Sequence, residues 1–242
     1  MRTPRDTRTT TALPKAPPNA SSAGRPSLVR WIVAVTIGEA LGFAIAATTA
    51  VVAVGLGLPE PWRYPVFVLA GAVEGAALGA AQLVGMGAHR PNPPAWIGAT
   101  ALGAAIAWSI GMLPSTLAVP LTSPLGIVML VVGAAALLAS LPMAQWLVIR
   151  SRAHAARWIP VNMGAWALGV LWTFAPSPIV DESTSSAALI VVYAIAGLLM
   201  AATVAALTAT TARRLFSRDP RASPRVVRET RVPPSGFRPR RG

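Results

Sequence analysis

Long apolar runs alternate with short polar breaks along this chain. Six runs stand out, at 31–56, 66–88, 95–113, 125–149, 158–175 and 187–212. A helix needs about 20 apolar residues to cross about 30 Å of hydrocarbon. Every run reaches or approaches that length, and 158–175 is the shortest. The pattern predicts an all-α fold, a polytopic transmembrane bundle of six helices over residues 29–215. The first run is too long for the apolar part of a cleaved signal and follows a long polar segment, so it reads as a retained helix. Residues 1–28 are rich in Thr, Pro, Ser and Arg, and residues 216–242 in Arg and Pro. Neither has apolar periodicity, and both are predicted to be disordered tails.

Composition agrees with the pattern. Hydrophobic residues make up 54% of the 242 residues, charged residues 12%, and the mean hydropathy is +0.56. A soluble globule of this length could not hide so much apolar surface. Cysteine is absent, which excludes disulfides and thiolate metal sites. The two histidines, His89 and His154, are too few for a His-rich metal centre. No metal and no cofactor is expected. No nucleophile-elbow, zinc-protease, phosphate-loop or dinucleotide pattern stands in a suitable context. The chain is not expected to be an enzyme, and no residue is assigned a catalytic role.

The positions of the charges set the topology. Of 21 Lys and Arg, six lie in residues 1–30, one is Arg90, three are Arg150, Arg152 and Arg157, and ten lie in 213–242. All twenty fall on alternate connections, and Arg63 alone falls on the others. With six crossings these twenty share one side. The positive-inside rule makes that side the cytoplasm, with both termini there, in a cell inner membrane. The Arg-rich tails lack the interleaved aromatics that nucleic-acid stacking uses. Their expected partners are the bilayer and its anionic headgroups, not nucleic acid. The loop groups around His89 and Arg152 read as headgroup contacts. Trp31, Trp96, Trp146 and Trp158 fall at the predicted inner ends and Trp62 and Trp172 at the outer ends, as an aromatic belt would place them.

Two hairpins resemble each other at an offset of 62–64 residues. One runs from Gly71 through Gln82 and Trp96 to Trp108. The other runs from Gly133 through Gln145 and Trp158 to Trp172. The run Gly71-x-x-Glu74-Gly75-x-x-Leu78-Gly79-x-x-Gln82, then Trp96-Ile-Gly-Ala-Thr100, resembles an uncharacterised group of bacterial multi-pass membrane proteins. In that group the first hairpin carries Glu-Gly, Leu-Gly and Gln-Trp. Here Leu83 stands where that Trp would be, and the second hairpin has Gln145-Trp146 but lacks the Glu. The resemblance implies a bacterial inner-membrane location and no known activity.

Two acids lie inside the apolar runs. Glu39 and Glu74 sit roughly 12 Å and 20 Å from the cytoplasmic ends of their helices, a stagger of about 8 Å. Acidic side chains at that depth are rare and expensive. Either each hydrogen-bonds to a neighbouring helix, or the pair serves a proton, a cation or a polar substrate. Gln82 shares a helix face with Glu74, and Gln145 and Asn162 are the polar residues of the second hairpin. They either bond between helices or continue a polar path to the cytoplasm. Gly38 and Gly42, and Gly71, Gly75 and Gly79, form small-residue stripes that let helices 1 and 2 dock with the acids near the seam. Such faces would also serve a homo-oligomer. Pro142 is expected to kink the fourth helix. Two functions follow: a structural or accessory membrane component, or a small proton- or cation-coupled transporter using Glu39 and Glu74.

The split of basic residues yields a topological test. A reporter fused at Asp181 should lie outside the cytoplasm and one fused after Gly242 inside it. Placement of both on the same side would overturn the six-crossing topology.

Overall fold

The computed structural model describes residues 27–116, 120, 122–181 and 183–217. The expected tails fall outside these residues, except for their helical margins. The helices are α1 (Leu28–Gly55), α2 (Glu60–Met86), α3 (Pro93–Thr116), α4 (Pro124–Ile149), α5 (Trp158–Gly169), α6 (Leu171–Phe174) and α7 (Ser186–Phe216). The described residues include no strand. α5 and the single turn α6 form one rod interrupted at Val170, so the bundle has six rods. α1, α2, α3, α4 and α7 are each long and apolar enough to cross a membrane. The chain is an integral, multi-pass membrane protein.

The fifth rod departs from the continuous helix expected at 158–175. Thr173 explains the break. Its backbone N–H donates to the Val170 carbonyl at 3.0 Å, and its hydroxyl donates to the same carbonyl at 2.6 Å. Both bonds tighten the chain locally and compete with the regular ladder. α5 alone rises only about 18 Å. α4 runs as one helix through Pro142. Three helix starts follow ordinary capping chemistry. The Ser123 hydroxyl accepts from the Gly126 N–H, the Ser185 hydroxyl from Ala188, and the Asn92 side-chain oxygen from Ala95.

The rods form a closed ring. Each packs on its chain neighbours, and α7 returns to pack on both α5 and α1. α1 begins and α7 ends on the same face of the bundle, where Trp31 stacks near Phe216. We call it the terminal face. Large apolar side chains point outward along the rods, among them Leu41, Val51, Leu69, Val128, Val131 and Ile190. The interior holds small residues, three tryptophans and a set of polar groups. This inversion suits a hydrocarbon solvent, where close approach and interhelical hydrogen bonds replace the hydrophobic effect.

The glycines show which helices dock. A Cβ on Gly42 would stand 3.0 Å from the Glu74 carbonyl oxygen, and one on Gly38 would stand 2.1 Å from Ala81 Cβ. The α1 stripe therefore lies against α2. The α2 stripe does not return the contact. Gly71 faces the Trp108 ring, Gly75 faces Thr100 and Ala104, and Gly79 faces Thr100 and Ile97. Expected to meet α1, this stripe docks α3 instead, because α2 is sandwiched and presents Glu74, Ala77 and Ala81 to α1.

These contacts predict opposite signs for two equivalent substitutions. Gly75→Ala would place a methyl 2.7 Å from the Thr100 carbonyl oxygen, whereas Gly98 has nothing within 4 Å. Gly75→Ala should cost about 1–3 kcal/mol. Gly98→Ala should be neutral or stabilise by up to about 1 kcal/mol. Thermal unfolding in detergent reads the difference.

Candidate functional site

Among the described residues seven polar side chains are buried in the bundle: Glu39, Glu74, Gln82, Thr100, Gln145, Asn162 and Thr208. They divide into a bonded layer near the terminal face and a carboxyl pair two turns deeper.

The bonded layer consists of three joints. Trp96 Nε1–H donates to Gln82 Oε1 at 3.0 Å, joining α3 to α2. Trp158 Nε1–H donates to Gln145 Oε1 at 2.8 Å, joining α5 to α4. Trp31 Nε1–H donates to Thr208 Oγ1 at 3.1 Å, joining α1 to α7. Gln145 then links two joints, because its Nε2 donates to Gln82 Oε1 at 2.8 Å and to Thr100 Oγ1 at 2.9 Å. Asn162 Nδ2 donates to the Trp158 carbonyl one turn back. The three joints have one form, an indole at the start of one rod bonded to a polar side chain on the rod before it around the ring. The layer does not continue as a polar path to the terminal face. Its groups bond each other.

Rings close the terminal face below this layer. Trp31, Trp96, Trp158 and Phe216 are each at most 2% exposed. Their centroids lie 5.9–6.5 Å apart in the bonded pairs of the cluster, the spacing of favourable edge and offset contacts. This corrects the belt expectation for these three tryptophans. An interior indole finds both a ring partner and a hydrogen-bond acceptor, which the interface would offer less completely. Trp62 and Trp172 are exposed. Arg152 is also no simple headgroup contact. Its guanidinium lies 5.1 Å from the Phe216 centroid and donates to the carbonyls of His89 and Leu215. It clips two loops to the end of α7, and its partial burial lowers its pKa from the usual value.

On the other side of the bonded layer lies a partly open cavity of about 560 Å³. Its walls include Glu39 of α1, Glu74 of α2, Trp108 of α3, Leu137 of α4, Trp166 of α5 and Phe174 of α6. Apart from the two carboxyls and the indole N–H groups, the lining is apolar. The acids come from adjacent helices. Glu74 stands level with Gly42, and Glu39 precedes Gly42 by three residues, a stagger of about 4.5 Å. The expected 8 Å was too large because α1 begins at Leu28, before its apolar run, and α2 ends at Met86, before the end of its run.

The two acids differ in their bonding. Trp108 Nε1–H donates to Glu74 Oε2 at 2.9 Å. Glu39 is 1% exposed, and neither carboxyl oxygen has a hydrogen-bond partner among the described residues. Thr36 Oγ1, one turn away, is the remaining unpartnered buried side-chain atom. The described arginines sit at or beyond helix ends, and the single described ion pair is Arg63–Glu60. No described arginine therefore pairs with Glu39. A bare carboxylate in hydrocarbon is costly, so this oxygen pair calls for a proton or a positively charged guest. No group of three or more His, Cys, Asp or Glu able to hold a metal is found among the described residues.

Of the candidates read from sequence, Glu39 and Glu74 meet at the cavity, and Gln82 and Gln145 meet in the bonded layer with Thr100. Asn162 stays on its own helix. Thr100, Thr208 and the three buried indoles were missed as a set. A signal existed: Trp-Ile occurs at 31, 96 and 158, and Gln82, Gln145 and Thr208 are each 63 residues apart. Thr in place of Gln hid the third joint, as did the placement of its two halves at opposite ends of the chain. Compared with protein-family models, curated proteins and solved structures, the chain shows no match.

The bonded layer carries a coupling prediction. Gln145→Leu leaves the buried Trp158 N–H and Thr100 hydroxyl short of a partner and should cost about 1–3 kcal/mol. Trp158→Phe should cost less in the Gln145→Leu background than in the wild type, as a double-mutant cycle of detergent stability would read. Additive effects would refute the bond's contribution.

Proposed function

We propose that the protein is a small carrier of the bacterial inner membrane, in which Glu39 and Glu74 exchange a proton for a cation. One observation carries this reading: Glu39 borders a membrane-depth cavity, and both its carboxyl oxygens are buried with no hydrogen-bond partner among the described residues. Folding supplies polar partners elsewhere in the bundle, as the three indole joints illustrate. An acid left without one costs stability, and a solute that binds it offsets that cost. The structural or accessory reading suits the closed, bonded terminal half. It gives no reason for an orphaned acid beside a void.

In this proposal the terminal face is cytoplasmic, supported by the twenty basic residues on alternate segments. The Arg-rich tails would lie on anionic headgroups, and a second copy could join through outward helix faces. The three like joints at 62–65-residue spacings support an origin by repetition of a two-helix unit. The resemblance to bacterial multi-pass membrane proteins supports the same location.

Proteoliposomes holding a pH-sensitive dye test the proposal. Cation gradients imposed across vesicles containing the full chain should drive proton movement. Glu39→Gln should reduce the rate by about tenfold or more, since it removes the exchangeable charge and keeps the shape. Rates equal to those of empty vesicles across alkali and organic cations would favour the structural reading.

A further inference from the structure

We infer that the cavity between the rods is a site for a lipophilic organic cation, a guest with one diffuse positive charge on an apolar body. The inference deepens the carrier reading and rests on it for the role of Glu39 and Glu74.

The first argument is charge. Glu39 and Glu74 present two acids on one wall, from adjacent helices. One is held by the Trp108 N–H, and the other has no hydrogen-bond partner among the described residues. An anionic guest would be repelled by an ionised Glu39, and a neutral guest would leave its charge uncompensated. A cation at that wall pairs with it in a low-dielectric setting, where Coulomb attraction is strong.

The second argument is the rest of the lining. Calcium takes six to eight oxygen ligands, and magnesium demands a near-ideal octahedron. Two carboxyls supply at most four oxygens. The facing walls bring Ala107, Leu137, Leu138, Leu141 and Val170, which supply no side-chain oxygen. A small inorganic ion would have to keep a water shell against aliphatic carbon. An organic cation needs no such shell, because its charge is spread and its body buries against the same carbon. Aromatic walls suit it further. Trp108, Trp166 and Phe174 all line the cavity, and ring faces attract weakly hydrated cations. The volume of about 560 Å³ falls within the range of organic-ligand sites.

The third argument is access. The terminal face is closed by the indole and Phe216 cluster. α4 and α6 both line the cavity, yet they form no packed interface with each other. The N-terminal half of α4 exposes Leu125, Val128, Val131 and Val132 along its length. The route this geometry offers runs from the hydrocarbon, through the α4–α6 seam. A solute that partitions into the bilayer can take it, and a hydrated ion cannot.

Proton and guest compete for the same carboxyl oxygens, so affinity should fall as pH is lowered. The groups that could alter this are few. On α2 the facing titratable group is Glu74. The cavity-lining residues of α3, α4, α5 and α6 include no titratable group. On α7 the described ones are the exposed Tyr193 and, at the helix end, Arg213 and Arg214. The pH effect therefore reports the Glu39–Glu74 pair.

The test uses the full chain in lipid nanodiscs with radiolabelled tetraphenylphosphonium, whose charge does not titrate. Saturable binding should occur, weaken on acidification, and be absent for tetraphenylborate, an anion of like shape. Glu39→Gln should weaken it by about tenfold or more. Ala107→Phe narrows the cavity while keeping both acids in the sequence and should weaken it too, which covers the case in which the acid variant fails to fold. Excess sodium, potassium or calcium should not displace the probe. Unsaturable binding, equal binding of the borate, or displacement by an inorganic ion would overturn the inference. Inorganic-cation transport without tetraphenylphosphonium binding would sink the ligand class and leave the carrier standing. Saturable binding without any transport would do the reverse.

Discussion

A polar group inside a bilayer has no water to bond, so every buried donor and acceptor must find a partner within the protein. That constraint organises the bundle. Around the terminal half it is met by a repeated device, an indole N–H aimed at an amide or hydroxyl oxygen on the preceding rod. Gln145 is the hinge of this arrangement, since both its N–H bonds and its oxygen are used. Because each joint ties neighbouring rods, three joints fix three of the six seams of the ring. Small residues close two more seams and tighten the α2–α3 seam. Gly38 and Gly42 let α1 onto α2, Gly75 and Gly79 let α2 onto α3, and Gly103 lets α3 onto α4 at Leu141.

The far half meets this constraint only in part. Glu74 takes the Trp108 N–H, and Glu39 takes nothing. Around them the helices do not close up, and a cavity remains. A site of this kind has what a carrier needs: an electrostatic demand that the fold leaves unmet and that a proton or a guest can fill. The bonded layer gives it a floor. The interrupted fifth rod, held to α7 through the Trp172–Thr203 hydrogen bond, gives it a wall that does not seal against α4.

Class and architecture were legible along the chain. Apolar runs of membrane length show directly that the chain is an integral membrane protein, because hydrocarbon thickness alone sets that length. Glu39 and Glu74 were legible as unusual for the same reason, since an acid within such a run is costly wherever it points. Gln82 and Gln145 were legible as a related pair from their shared offset. The break at Val170 was not, because it turns on a hydroxyl competing for one carbonyl, which no hydropathy pattern records.

Sequence by itself determined that six helical rods exist and that a few polar groups lie among them at depth. Only the tertiary structure decided what those groups meet. Periodicity places a residue on a helix face, but an all-round apolar helix has no preferred face towards its neighbours. Hence the Gly71–Gly75–Gly79 stripe could be read towards α1 and in fact docks α3. Trp31 and Trp158 could be read as belt residues and in fact lie at the centre. The pairing of Trp31 with Thr208 depends on ring closure across 177 positions of chain. The unpartnered state of Glu39 likewise depends on every neighbouring rod at once, and no local pattern can encode it.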